Sequence, residues 1–107
     1  MEKEHLTNLF DNKGYLLNYK NWNKKIAINI AVKESIVMTK KHWEIVHFIR
    51  TFYIKFKITP SIRLLITTIN HKKKKKITSQ CLFILFPKGA AKQASKIAGV
   101  PKPNNCL

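Results

Sequence analysis

Arginine is almost missing from a strongly basic sequence. Of 21 basic residues only Arg50 and Arg63 are Arg, and the other 19 are Lys; five acidic residues oppose them, for a formal charge of +16. That charge points to nucleic acid or an anionic surface as partner. Phosphate and base readout, however, favours the planar two-pronged guanidinium. Lys, Ile and Asn also share A+T-rich codons, so compositional drift is a second source of the charge, and both readings stand. Cysteine is scarce too, with only Cys81 and Cys106. In a reducing compartment two such thiols argue against a structural disulfide. No stretch approaches the ~18 uninterrupted apolar residues of a membrane span. The N-terminus, MEKEHLTNLF, has acidic residues and no apolar run before a cleavage site, so it does not read as a secretory signal. The expectation is one small cytoplasmic domain, 1–107, without membrane contact. The four His stand at no metal-ligand spacing, and no nucleotide or flavin motif appears, so neither metal nor cofactor is expected.

What is present is apolar periodicity. Hydrophobic residues make up 45% of the chain. Leu6 to Phe10 and Tyr15 to Tyr19 flank Asp11-Asn12-Lys13-Gly14, which predicts a β-hairpin turning on Gly14. Asn21 or Asn23 caps a helix from about Trp22 to Lys33, with Trp22, Ile26 and Ile30 on one face. Thr39 caps TKKHWEIVHFIRTFYIKF, whose wide stripe (43, 45, 46, 48, 49, 52, 53, 56) predicts the central buried helix. His42 stands where a capping box has Glu, so the reciprocal half of the box is expected to be missing. Thr59 caps the next helix and Pro60 takes its first position, the helix running to about Asn70 with Ile62, Leu65, Ile66 and Ile69 on one face. Arg63, Thr67 and Asn70 lie at its edge. Five consecutive Lys after His71 read as an exposed loop or a phosphate-facing patch. Ser79 caps a short helix through Phe86, ended by Pro87, and Cys81 within it reads as an inert packing residue. Ala91, Ala94 and Ala98 keep the last helix slim.

That helix leads into KQASKIAGVPKPNNCL. Gly99 falls where a helix stops, and Pro101 and Pro103 hold the residues before them extended. The seven residues after Gly99 reach roughly 22 Å at full extension. Residues 99–107 therefore read as a mobile arm with the Cys106 thiol near its tip. Such a thiol suits passing sulfur as a persulfide, R–S–S⁻, between two partners' sites. An ordinary thiol has a pKa near ~8.5, and the terminal carboxylate offers no activation, so a partner's pocket has to supply it. The bland alternative is an unselected residue on a frayed end.

Two blocks, HWEIVHFIRTFYIKFKITPSIRLL and LFPKGAAKQASKIAGVPKPNNCL, resemble the DsrC/TusE family of small sulfur carriers. The C-terminal string is the most specific part. The DsrC branch carries a second arm Cys eleven residues before the penultimate one; here that position is Ser95. A hydroxyl cannot form a disulfide, and a single arm Cys is the pattern of the TusE branch. The resemblance implies a sulfurtransferase acting as a persulfide carrier in a relay toward wobble 2-thiouridine in tRNA. It implies a TusBCD-type donor complex upstream, an MnmA-type tRNA thiouridylase downstream, and tRNA nearby. Cys106 aligns with the persulfide-carrying Cys. Arg63 matches the Arg of the family's P-A-I-R motif, with Ser61 replacing Ala. The Lys72–Ser79 loop departs from the family pattern.

The fold expected is α+β and mostly helical: an N-terminal hairpin, about five helices including a helix-turn-helix-like pair, and the arm. Cys106 is the expected catalytic residue, and Arg63, Lys92 and Lys102 are candidate docking or thiolate-stabilising cations. The competing reading is a basic helix-turn-helix module that reads nucleic acid through Arg63, Thr67 and Asn70. Helix pairs of that kind are also common in all-helical domains that bind no DNA.

Overall fold

The fold is built from five α-helices, four of which start at a side-chain cap. In the computed structural model, which describes residues 9–74 and 76–103, a 3₁₀ turn at Tyr19–Asn21 precedes five α-helices. These are α1 Lys24–Lys33, α2 Lys40–Phe56, α3 Ile62–Lys73, α4 Ser79–Leu85 and α5 Ala90–Ile97. Asn23, Thr39, Ser61 and Thr78 cap α1 to α4, each side chain accepting a first-turn backbone N–H. Two starts therefore shift from the expected ones. Pro60 is buried and lies before α3 rather than in it, and Ser61 takes the capping role assigned to Thr59. Thr78 caps α4 where Ser79 was expected. The first three residues of the basic run, His71 to Lys73, form the last turn of α3, where cations suit the negative helix end.

The expected β-hairpin does not form: among the described residues there is no strand, and the fold is all-α. The turn itself exists. Asp11 Oδ1 accepts from the backbone N–H of Lys13 and Tyr15, both at 2.9 Å, and Gly14 takes φ +89°. One isolated antiparallel bridge, Phe10 to Leu16, closes it. Tyr15 and Leu16 are both buried, which a strand with alternating faces cannot achieve. After Leu17 the Asn18 side chain caps the 3₁₀ turn, so the second arm ends before a ladder can grow. Leu6 to Asn8 lie outside the described residues.

The hub of the core is α5, not α2. The small helix packs against α1, α2 and α4, while α3 packs on α4. Ala90, Ala94 and Ala98 put almost no bulk between α5 and its neighbours, and Ile97 is fully buried. Only the first half of the α2 stripe is covered, through Ile45, Val46 and Ile49; Phe56 is exposed. Length explains this, since eight residues of α5 span about 12 Å against about 25 Å for the 17 of α2.

Candidate functional site: the base of the C-terminal arm

The end of α5 and the start of the arm are held by three side chains, Trp22, Arg50 and Thr59. Gly99 adopts φ +71° and its N–H donates to Lys96 O, while Val100 N–H donates to Ser95 O, a helix-ending turn that favours glycine. The Trp22 indole donates to Ile97 O at 2.8 Å. The Arg50 guanidinium lies 4.3 Å over the Trp22 ring and donates to Ala98 O at 2.9 Å and Tyr19 O at 3.1 Å. Burial lowers the Arg50 pKa, and Tyr19 opposes that. Beyond the helix, Thr59 Oγ1 donates to Pro101 O at 2.7 Å, and Val100 and Pro103 are buried. The first five residues of the arm thus lie against the body. Cys106 lies outside the described residues.

Two cavities flank this base. The larger, about 600 Å³, runs between the start of α3, α4 and the start of α5. Ile62, Ile66, Phe83 and Pro103 give it apolar walls, and Arg63, Lys88 and Lys92 give it charge. The smaller, about 260 Å³, is lined by Lys88, Lys92, Lys96 and Lys102 together with Lys13 and Glu34. Lys92 lines both. The structure therefore brings Lys92 together with Arg63 in one cavity and with Lys102 in the other, but it does not bring Arg63 and Lys102 together. In the smaller cavity Glu34 is fixed by Gln93 and Lys96, each donating at 3.0 Å. Burial alone would raise the Glu34 pKa, but those two bonds and the charges of Lys96 and Lys88 outweigh it and hold the carboxyl below its ordinary value.

Three expectations change. Cys81 is exposed rather than packed, and its pKa is lowered, first by a hydrogen bond from the Thr78 hydroxyl. His42 completes the capping box: Nδ1 accepts the Thr39 N–H at 3.1 Å, which leaves Nε2–H to donate to Leu85 O at 2.7 Å. In the helix pair, Asn70 is committed to Ile77, bonding both its N–H and its carbonyl, and the Thr67 hydroxyl donates to Arg63 O. Of the three expected base readers only the Arg63 side chain is unengaged among the described residues. Sequence reasoning gave Arg50 no site role, although its place inside the α2 apolar stripe was a usable signal. Ser95, where a second arm Cys would stand, is 1% exposed and its hydroxyl has no hydrogen-bond partner.

Fold and site together define a class: a small all-α domain that anchors the base of a C-terminal arm between two cation-lined cavities. The family model described as "DsrC like protein" matches residues 3–107. A protein named Sulfurtransferase TusE from Buchnera aphidicola subsp. Acyrthosiphon pisum is 54% identical over 98 residues, 91% of this chain and 86% of the relative. Its namesake from Photorhabdus laumondii is 48% identical, over 91% of this chain and 88% of that protein. Among solved structures, the Allochromatium vinosum DsrC superposes with a TM-score of 0.83 at 37% identity, covering 92% of this chain and 88% of the other. The oxidized γ-subunit of dissimilatory sulfite reductase (DsrC) from Archaeoglobus fulgidus gives 0.79 at 31% identity, over 92% and 90%. The chain belongs to the DsrC-like family, on its TusE branch.

Proposed function

We propose that this chain is a sulfur-relay protein that carries a persulfide sulfur on Cys106 toward a tRNA thiouridylase for wobble 2-thiouridine synthesis. The observation that carries the reading is its identity of about half with proteins named Sulfurtransferase TusE, over nearly the whole chain. The step is thiol–persulfide exchange. The Cys106 thiolate attacks the outer sulfur of a donor persulfide, R–S–SH. A new S–S bond forms on Cys106, the old one breaks, and the donor leaves as R–S⁻. No net oxidation occurs. The acceptor takes the outer sulfur by the same exchange, and Cys106 returns to a thiolate. A TusBCD-type complex is the donor and an MnmA-type enzyme the acceptor. A single arm Cys, with Ser95 at the other position, restricts the arm to carrying and excludes an internal disulfide.

The three residues from Pro103 to Cys106 reach at most about 10 Å. Exchange therefore takes place close to the Arg63–Lys92 groove, and those cations, with Lys102, dock the partner or favour the thiolate. Intact-mass spectrometry after incubation with a persulfide-charged TusBCD-type donor tests the reading. Wild type and Cys81→Ser each gain one sulfur and Cys106→Ser gains none. Equal gain by Cys106→Ser, through the exposed Cys81, would end the proposal.

A further inference from the structure

Five lysines converge on the smaller cavity from four separate stretches of chain. Lys13 comes from the first turn, Lys88 from the α4–α5 link, Lys92 and Lys96 from α5, and Lys102 from the arm. One carboxylate, Glu34, answers them, and it is already spent on Lys96 and Gln93. Lys13, Lys92 and Lys102 form no ion pair with a carboxylate among the described residues, and Lys88 acts on Glu34 only through space. Like charges held this close repel one another, so the cluster costs stability unless an anion sits in it.

We propose that this cavity is a phosphate-binding site for RNA, seating the backbone of the acceptor tRNA beside the arm; its use in sulfur transfer rests on the function proposed above. Lysine binds phosphate as a compact point charge without the guanidinium's fixed fork, which suits a sequence-independent hold on a phosphate backbone rather than base readout. No Arg lines the cavity, and its one aromatic residue, Tyr15, is buried. It therefore lacks the apolar and arginine anchors that protein interfaces use. The +16 charge adds long-range attraction for a polyanion. Lys88 and Lys92 line both cavities, so a backbone held here lies next to the groove that Pro103 enters.

The test is a fluorescence-anisotropy titration of an unmodified tRNA transcript at several salt concentrations, using the full chain. The first variant is Lys13→Gln/Lys88→Gln/Lys102→Gln, three exposed side chains whose loss leaves the core intact. The second, Lys72→Gln/Lys74→Gln/Lys76→Gln, removes the same charge from the basic run. The cavity variant binds at least about tenfold more weakly, with a salt slope lower by about 2–3, while the run variant loses less than about threefold. Equal losses in both variants, or no binding by wild type, overturn the proposal. So does displacement of the tRNA by inorganic phosphate at millimolar level, or by poly-glutamate of matched charge. Cys106→Ser binds tRNA like wild type. Sulfur loading and RNA binding are thus read separately, and either reading can fail while the other stands.

Discussion

At the scale of single residues, Gly99 is the most constrained position described. Its φ of +71° is in the region only glycine enters freely, and a Cβ there would fall against the Trp22 ring and 3.1 Å from Leu16 Cδ2. Backbone strain and overpacking add, so Gly99→Ala is expected to lower stability by about 3 kcal/mol, read as a shifted urea midpoint at unchanged slope. The position was legible in the sequence as a helix stop. Its contact with Trp22 was not, because 77 residues separate the two and periodicity reports only on one helix at a time. His42 was misread for a related reason. Capping-box patterns name Glu or Gln, yet an imidazole nitrogen is an equally good acceptor at that place, and the second ring nitrogen then reaches a carbonyl on α4.

At the scale of elements, the link between α1 and α5 turns on Glu34. Its folded pKa lies below the unfolded value, so the stabilisation is full above the unfolded pKa and fades as pH falls through the folded one. Wild type should therefore lose stability on acidification below about pH 4.3, and Glu34→Gln should show a shallower acid limb from a lower neutral-pH starting point. Denaturation followed across that range checks this, and parallel acid limbs in the two proteins would contradict it. Apolar spacing made all five helices legible, with starts shifted by a residue or two where Ser61 and Thr78 outcompeted their neighbours as caps. The hairpin was overread from the Asp11–Gly14 turn signal. A turn residue in the right place permits a ladder, but the consecutive residues Tyr15 and Leu16 both turn inward and the chain leaves at Asn18. The arm base and both cavities were invisible, since Lys13, Glu34 and Lys88 meet only after folding.

At the scale of the whole molecule, charge is the dominant unbalanced quantity. With 21 cations and five anions the folded surface repels itself. Raising salt should shorten that repulsion, the screening length falling from about 30 Å at 0.01 M to about 8 Å at 0.15 M, and so raise the melting temperature. Scanning calorimetry from low to physiological ionic strength checks the sign; a flat or falling trend would show that local pairs such as Lys96–Glu34 outweigh the net charge. The same argument separates two meanings of a basic surface. Spread evenly it only keeps copies apart, whereas gathered in a cavity it can hold a ligand.

The anchoring of α5 has a kinetic corollary. The bonds that complete the core join Trp22 to Ile97 across 75 positions, Glu34 to Lys96 across 62 and Arg50 to Ala98 across 48. Helical proteins usually assemble fast because their contacts are local. Here α3, α4 and α5 can pack on one another locally, but α1 and α2 gain their main buried faces only when they meet α5. The rate of folding is therefore set by closing that long loop rather than by winding the helices.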